Sequence, residues 1–442
     1  MNKITDYTII QRDPDGFGKG YVNGIIKDKV KPALFYVRVS REDDNSTVIP
    51  WQKCETSDGE WKTELLIPEG GLYRIEVRQA GRDESEHYNS YDWGQLVYIA
   101  HHVGIGDIYI LAGQSNMSGY GRDFAYDPPQ PGVHLYDNAG NWVLASHPLN
   151  SVPEPVYLNN DENSGSSPAI SFARILQKRL NVPIGLVSAA KGGSSIESWN
   201  PAEKDCYLYK EMLRKVEAVG KFKGMLWYQG CNETVYTDDA EAYLINFTNT
   251  VRLWREEFGH FPIITCQLNR NAWKEEDRDR NWGLVREAQR QAAMIIKDVF
   301  IIPTMDMMIN DGIHNTSSAC VAIGERLALT ALKGIYDLPG RFAPNIISAK
   351  KTDEYTVFLK IDNIGVLKTM DDNACGMNIE DEFGLTDCVK VLGTEGGAYV
   401  KTGRPIGKNA VFHAYWKREE PSSFIRDIFG MPVLACYGLK IE

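Results

Sequence analysis

The chain has 442 residues and a mass of 49.8 kDa, with 48 Lys and Arg against 59 Asp and Glu, a net charge of −11. Such an acidic chain lacks the cationic surface that phosphate backbones and anionic lipids attract, so we expect no nucleic-acid or membrane partner. Apolar residues make up 43% and charged residues 24%, which is typical of a globular protein and argues against disorder.

Eight cysteines are present, and none lies in a C-x-x-C pair. The sequence therefore favours neither a zinc ribbon nor a dithiol redox motif, and free buried thiols are expected. The first residues contain no apolar stretch of the kind found in secretion signals, and no window approaches the ~18 apolar residues of a membrane span. Together these features predict a cytoplasmic location.

Residues 1–103 have a β pattern, with candidate strands at 34–39, 61–67 and 73–78. Pro-Glu-Gly-Gly separates the last two and predicts a hairpin between them. Further turn signals punctuate this stretch, and a small β-sandwich accessory domain is predicted.

The pattern changes after Gly106. Short continuous apolar runs, typical of strands buried on both faces, begin near residues 108, 184, 224, 263 and 299. Between them helical patterns are predicted from Pro168 to about 180, over 243–258, and over about 281–297 and 318–336. Alternating strands and helices predict a doubly wound α/β domain with a parallel sheet over 104–338.

After Pro339 the pattern returns to β, with candidate strands at 355–361 and 411–416. We therefore predict three parts: a β domain at 1–103, an α/β domain at 104–338 and a C-terminal β domain at 339–442. Chain ends often lie close together, which would allow the two outer parts to pack as one unit.

The first α/β strand ends in Gly-Gln-Ser115-Asn-Met. Ligands of open α/β sheets bind beyond the carboxyl ends of the strands, so Ser115 is well placed to be a nucleophile. Met117 replaces the last glycine of G-x-S-x-G, so the usual nucleophile elbow is not indicated. A turn serine that caps the next helix is the alternative interpretation.

A nucleophilic serine needs a base, usually a histidine that a carboxylate orients. His314 lies in the loop after the last predicted α/β strand, and Asp311 precedes it by three residues. The sequence predicts a triad of Ser115, Asp311 and His314, with an Asx-turn aspartate beside a surface histidine as the alternative.

Two loops after intervening strands offer oxyanion donors. Gly192 and Gly193 expose backbone N–H groups without a side chain, and Gln229 offers an amide. Each signal is weak alone, but all these segments follow successive predicted strands.

Four ordered blocks resemble the signatures of the SGNH hydrolases, in the branch that contains sialate O-acetylesterases and related acetylxylan esterases. They are Gly113-Gln114-Ser115-Asn116-Met117, Gly192-Gly193-Ser194-Ser195-Ile196-Glu197-Ser198-Trp199, Trp227-Tyr228-Gln229-Gly230 and Asp311-Gly312-Ile313-His314. Arg286-Glu287-Ala288-Gln289 is similar to a helix motif of that branch. The resemblance covers 104–338 well and the C-terminal segment more weakly. It implies a flavodoxin-like three-layer α/β/α core, flanked by all-β segments.

The resemblance also implies roles. Ser115 would attack an acetyl carbonyl, with its own N–H in the oxyanion hole. Gly192, or as an alternative Gly193, would give a second N–H, and Gln229 a side-chain donor. His314 would be the base and Asp311 its orienting partner. No metal or cofactor is implied.

One departure concerns the third block, where the branch commonly has Gln-Gly-Glu and this chain has Cys231. Either the polar contact that this glutamate would make is lost, or Glu233, two residues later, makes it instead. Asn232 is an alternative oxyanion amide in place of Gln229. Cys231 itself is interpreted as a packing residue, with a second nucleophile or redox switch as the alternative.

The sequence thus predicts a metal-independent carbohydrate O-acetylesterase, with O-acetylated sialic acid as the preferred substrate. Acetylated xylan or another polysaccharide is the alternative, and a non-catalytic glycan-binding protein is the alternative of another class. An anionic sialate would need a local cation, for which Arg122 or Lys191 is available. Trp199 would line the sugar site or lie buried in its loop. The oligomeric state is left open.

Overall fold

The fold is described from a computed structural model of the chain. It describes residues 2–26, 34–80, 94–273, 278–364, 367–368, 374, 376–419, 421 and 423–442. Within these ranges the chain forms an N-terminal β unit, a central α/β core and a C-terminal β unit. The α/β fold with additional all-β segments agrees with the predicted fold class.

The described residues of the N-terminal unit form nine strands, the last of which continues into the core. They are β1 (Asn2–Lys3), β2 (Ile9–Gln11), β3 (Phe17–Ile25), β4 (Leu34–Arg41), β5 (Thr47–Lys53), β6 (Glu55–Ser57), β7 (Glu60–Pro68), β8 (Gly70–Ala80) and β9 (Gln95–Gly113). Strands β1, β3, β7 and β6 form one sheet, while β5, β4, β8 and the first half of β9 belong to another.

The predicted hairpin between β7 and β8 is wrong, because the two strands belong to different sheets. Strand β7 pairs with β3 and β6, whereas β8 pairs with β4 and β9. Alternate residues of β7 are buried, and Trp61, Leu65 and Ile67 share a core with Val37 and Ile75 of the other sheet. The turn at 68–71 therefore carries the chain across a β-sandwich, where burial of one face of each sheet decides the pairing.

The α/β core, as far as the structure describes it, adds six strands and six helices. The strands are β10 (Val133–Tyr136), β11 (Trp142–Leu144), β12 (Ile184–Ser188), β13 (Gly224–Tyr228), β14 (Ile263–Cys266) and β15 (Val299–Ile302). The helices are α1 (Ser115–Ser118), α2 (Ala169–Leu180), α3 (Tyr207–Val219), α4 (Thr237–Phe258), α5 (Asp279–Ile295) and α6 (Ser317–Gly334), with 3-10 turns at Ile196–Trp199 and Asn232–Thr234. The sequence patterns described above predict neither α3 nor the β10–β11 pair.

The core strands lie in the order β11-β10-β12-β9-β13-β14-β15, and all neighbours except β11 pair in parallel. Every residue of β12, β13 and β14 is buried. Such complete burial requires cover on both faces of the sheet. Helix α2 packs on α6 and α4 packs on α5. Because the central strands are parallel, the loops after β9, β12, β13, β14 and β15 meet at one edge of the sheet.

Strand β9 joins the two units. Its first half pairs antiparallel with β8, and its second half lies between β12 and β13 at the centre of the α/β sheet. The predicted boundary after residue 103 falls inside this single strand of 19 residues.

Nine further strands lie in the described part of the C-terminal unit. They are β16 (Asn345–Lys351), β17 (Thr356–Asp362), β18 (Leu367–Lys368), β19 (Met377–Asp381), β20 (Gly384–Thr394), β21 (Gly397–Thr402), β22 (Val411–Ala414), β23 (Arg426–Asp427) and β24 (Cys436–Lys440). Seven of them form one antiparallel sheet, which contacts helix α5 through β24.

Buried Arg286 of α5 joins the core to the C-terminal unit. Its Nε donates to the carbonyl of Leu268 at 3.0 Å, and Nη1 donates to the carbonyls of Tyr415, Trp416 and Lys417 at 3.0, 3.0 and 2.6 Å. A single guanidinium thus fixes the loop after β14 and the strand-following segment 415–417 together. Burial lowers the pKa of Arg286 to about 9.

Seven of the eight cysteines lie in the described part of the chain, and all seven are free and buried. Cys375 lies outside the described residues. No helix in the described ranges is long and apolar enough to cross a membrane.

Candidate active site

Ser115, His314 and Asp311 meet at the carboxyl edge of the parallel sheet. The Ser115 Oγ lies 2.9 Å from Nε2 of His314, and Nδ1 of His314 lies 2.8 Å from Oδ2 of Asp311. Ser115 is buried, the His314 side chain is 16% exposed and that of Asp311 is 45% exposed. The distances are those of a nucleophile, a base and an orienting carboxylate.

Ser115 is positioned by the end of β9. Gly113 has a φ of +124°, and a Cβ there would lie 2.4 Å from the carbonyl oxygen of Tyr228, so only glycine allows this close approach to β13. The buried Gln114 side chain then accepts hydrogen bonds from the N–H groups of Gly230 and Cys231 at 2.8 and 3.0 Å. Gln114 therefore joins the first and third blocks directly beneath the serine.

The histidine loop is held to the same helix start. Asn116 accepts a hydrogen bond from the N–H of Asn315 at 3.0 Å and donates to the carbonyl of Ile313 at 3.3 Å. Burial pushes the pKa of Asp311 upward, but hydrogen bonds from the N–H groups of Ile313 and His314 and the contact with the imidazole outweigh it, and the net pKa is lowered. The carboxylate is thus favoured in its ionised form beside the histidine.

Tyr120 and Asp161 complete this side of the site. The Tyr120 ring stacks on the His314 ring, and its hydroxyl donates to both carboxylate oxygens of Asp161 at 3.0 and 3.2 Å. Asp161 is buried and also accepts hydrogen bonds from Ser118 Oγ and the N–H of Gly192. Sequence reasoning missed Gln114, Asn116, Tyr120 and Asp161. The first two flank Ser115 in its block, whereas nothing in the pattern around residue 161 singles it out.

Two of the predicted oxyanion donors, Gly192 and Gln229, already donate hydrogen bonds to carboxylates of the protein. The N–H of Gly192 donates to Asp161 at 2.9 Å. The side-chain amide of fully buried Gln229 donates to Glu233 at 2.6 Å and to the carbonyl of Ser194 at 3.2 Å. A donor that is already paired with a buried acceptor is not free for a substrate. The Gly192 N–H and the Gln229 amide therefore hold neighbouring loops together.

The alternative donors are placed differently. Asn232 is only partly buried, and one N–H of its amide reaches the carbonyl of Gly193 at 3.1 Å, which leaves the second N–H. Gly193 is exposed at a φ of +70°, and among the described residues no partner is found for its N–H. Ser115 begins helix α1, where the first N–H groups have no intrahelical partner.

Glu233, two positions after Cys231, supplies a polar contact to the third block. Glu233 is buried, and its two oxygens accept hydrogen bonds from the N–H of Ile196 and the amide of Gln229, both at 2.6 Å. Burial raises its pKa to about 7. Burial likewise raises the pKa of the neighbouring Cys231 thiol to about 12, which agrees with the interpretation of Cys231 as a packing residue.

Of the three residues suggested for sugar recognition, two are at least partly exposed and one is buried in the core. Arg122 is exposed, with its guanidinium 5.6 Å from the Tyr120 ring centroid, and it donates to the carbonyl of Asn163. Lys191 is partly buried and donates to the carbonyl of Asn160. Trp199 is fully buried, donates to Ser194 Oγ at 3.2 Å and packs edge-on against Trp227, so it belongs to the core.

Within the described residues, no three His, Cys, Asp or Glu side chains form a group able to hold a metal ion.

Comparison with known proteins places this site in a family. A family model described as "SASA: Carbohydrate esterase, sialic acid-specific acetylesterase" matches residues 105–333, just over half of the chain. A probable carbohydrate esterase of Arabidopsis thaliana is 28% identical over 241 residues, which are 50% of this chain and 88% of that protein. Human sialate O-acetylesterase is 25% identical over 226 residues, which are 40% of this chain and only 42% of that protein.

The architecture as a whole also has a counterpart. The crystal structure of a carbohydrate acetylesterase from Xanthomonas citri superimposes with a TM-score of 0.70 at 21% identity, covering 98% of this chain and 97% of that one. At that identity the likeness concerns the fold, and it extends over all three parts of the chain. The family model alone matches more than half of the chain, so the chain belongs to the family of carbohydrate esterases described as sialic acid-specific acetylesterases.

Proposed function

We propose that this carbohydrate esterase removes O-acetyl groups from sugars through an acetyl-serine intermediate on Ser115. The observation that carries the proposal is the continuous chain of contacts from Ser115 Oγ through His314 to Asp311, with distances of 2.9 and 2.8 Å. A carboxylate that accepts from Nδ1 leaves Nε2 free to take the serine proton.

In the acylation half, Oγ of Ser115 attacks the acetyl carbonyl carbon and its proton passes to Nε2 of His314. The carbonyl oxygen becomes an oxyanion. When the tetrahedral intermediate collapses, the bond to the sugar oxygen breaks and that oxygen takes the proton from His314. In the deacylation half, a water gives a proton to His314 and attacks the acetyl-serine. Acetate leaves, and the proton returns to Oγ.

For the oxyanion we propose the N–H groups of Ser115 and Gly193 and the amide of Asn232. This differs from the expectation of Gly192 and Gln229, because those two donors are bonded to Asp161 and Glu233. Donors aimed at developing charge contribute most when they are fixed beforehand. Gln229 and Glu233 fix the neighbouring loop by bonding Ser194 and Ile196.

Among substrates we propose O-acetylated sialic acid first, supported by the description of the family and by the distant similarity to human sialate O-acetylesterase. Exposed Arg122, whose guanidinium lies near the Tyr120 ring, is available to a substrate carboxylate. Acetylated xylan remains the second candidate, since the residues of the triad act on the acetyl group and not on the sugar.

The test is acetate release from p-nitrophenyl acetate by the wild-type chain, by Ser115→Ala and by Ser57→Ala, an exposed serine of the N-terminal unit. We expect Ser115→Ala to lose activity by roughly a thousandfold or more, and Ser57→Ala to match the wild type. Equal activity of Ser115→Ala would disprove the serine mechanism. An inert wild type with retained glycan binding would favour the non-catalytic alternative. Parallel assays on O-acetylated sialic acid and acetylated xylo-oligosaccharides then decide the substrate.

A further inference from the structure

Trp273 is a large apolar side chain that stays 45% exposed beside the catalytic loop. We propose that its indole is a platform on which the pyranose ring of the acetylated substrate stacks; this inference rests on the proposed function. Apolar ring faces of aromatic side chains pack well against the C–H faces of sugars, and burying such a ring removes much apolar surface from water.

The indole lies directly against the loop of the base. A Cβ built on Gly312 would lie 1.5 Å from Nε1 and 1.6 Å from Cδ1 of Trp273, so the ring fills the space of a missing side chain. Gly312 stands between Asp311 and His314. The platform and the acid–base pair are therefore parts of one packed unit, and a sugar stacked on Trp273 is held close to His314.

The backbone around Trp273 is fixed at several points. The N–H of Ala272 donates to the carbonyl of Gly312 at 2.8 Å, and the N–H of Trp273 donates to Oδ1 of Asn271 at 2.9 Å. Arg418 of the C-terminal unit donates through Nη1 to the carbonyl of Trp273 at 3.2 Å, and its own carbonyl accepts from the N–H of Asn271 at 3.0 Å. A surface ordered before the ligand arrives loses little conformational entropy on binding.

Two features distinguish Trp273 from the other tryptophan considered for this role. Trp199 has no exposed surface, its indole N–H donates to Ser194 Oγ, and its backbone carbonyl accepts from the indole of Trp254. Trp273 instead presents its ring outward, at the edge of the sheet where the loops after β14 and β15 meet. The C-terminal unit thereby gains a part in substrate binding, because Arg418 holds the platform in place.

The experiment compares kcat/KM for an acetylated pyranoside with kcat/KM for p-nitrophenyl acetate, which has no sugar ring. O-acetylated sialic acid and acetylated xylo-oligosaccharides form two separate arms. The variants are Trp273→Ala, Trp273→Phe and the control Phe383→Ala, which removes a 73% exposed ring from the C-terminal unit far along the chain.

For Trp273→Ala we expect the sugar-to-aryl-ester ratio to fall about tenfold or more, mainly through KM, which corresponds to about 1.4 kcal/mol. Trp273→Phe should recover part of the ratio, and Phe383→Ala should keep it. An unchanged ratio in Trp273→Ala would overturn the inference, and so would hydrolysis of neither sugar by a wild type active on the aryl ester. If Ser115→Ala keeps its activity, the proposed mechanism fails separately, whatever the ratio does.

Discussion

The ring of Tyr120 lies against the imidazole of His314, with ring centroids 4.4 Å apart and planes inclined by 28°. The hydroxyl of the same tyrosine is bonded to buried Asp161. Burial raises the pKa of Tyr120, and the charge of Asp161 raises it further, so the hydroxyl stays protonated as a donor. One side chain thus connects the base to a buried carboxylate that also holds Gly192.

Replacement of Tyr120 separates the ring from the hydroxyl. Tyr120→Phe keeps the stacked ring but loses the hydrogen bonds to Asp161, and we expect kcat/KM to fall about tenfold or less. Tyr120→Ala removes the ring as well and should cost clearly more, because the imidazole is then free to turn away from Ser115. Steady-state kinetics with p-nitrophenyl acetate measure both. If Tyr120→Ala behaves like the wild type, the ring does not position His314.

Truncation of Asn232 should affect mainly activity, and truncation of Gln229 mainly stability. We expect Asn232→Ala to lower kcat roughly a hundredfold, the scale of one oxyanion donor, with little change in stability. Gln229→Ala should lower the free energy of unfolding by about 2 kcal/mol, since the buried Glu233 carboxylate, the Ser194 carbonyl and the Tyr243 hydroxyl each lose a hydrogen bond to the amide. Kinetics and denaturant unfolding are needed for both variants. The reverse pattern would restore Gln229 as the oxyanion donor.

The raised pKa of Glu233 predicts how the stability of the folded protein changes with pH. Burial raises its pKa from the ordinary glutamate value of 4.5 to about 7 in the folded protein. The folded state therefore binds more protons than the unfolded state between these values, and stability falls as the pH rises from about 4.5 to about 7. The full effect is on the order of 3 kcal/mol.

Thermal unfolding of Glu233→Gln and of the wild type is measured at pH 5 and at pH 8. The variant lacks the titrating group, so its Tm relative to the wild type should be higher at pH 8 than at pH 5. Glu197→Gln, an exposed neighbour, is the matched control and should show no such trend. A constant difference between Glu233→Gln and the wild type would mean that Glu233 does not titrate in this window.

Arg286 should matter for stability more than an exposed arginine does. Arg286→Met leaves the carbonyls of the 268–269 and 415–417 segments without their donor, and we expect a loss of about 3 kcal/mol or more in the free energy of unfolding. Arg252→Met removes an exposed ion pair with Glu256 and should cost under about 1 kcal/mol. Urea unfolding compares the two. Equal small losses would show that the C-terminal unit is held by other contacts.

The meeting of Ser115, Asp311 and His314 was predictable because parallel strands all place their carboxyl ends at the same edge of the sheet. Their residue types then restrict the chemistry. The predicted strands at 184–188, 224–228, 263–266 and 299–302 coincide with β12 to β15, since continuous apolar runs report burial on both faces.

The donors were harder to assign, because they depend on which acceptor each N–H finds. Gly192 is taken by Asp161, which lies 31 residues earlier in an irregular loop. Periodicity carries no information about such a pairing. The same holds for Trp199 and Trp273. The exposure of each ring depends on packing between distant loops, and the position of the Trp273 ring also depends on the absence of a side chain at Gly312.

Strand β9 has a consequence for how the molecule can be divided. The strand that ends just before Ser115 begins in the N-terminal unit, where it pairs with β8, and continues into the core, where it pairs with β13, so the two units share one strand. A chain cut at residue 104 would strip β8 from its neighbour and leave the buried Ile105 without the strands that cover it. The N-terminal unit is therefore not a removable attachment, because the strand that positions Ser115 is anchored at its other end by pairing with β8.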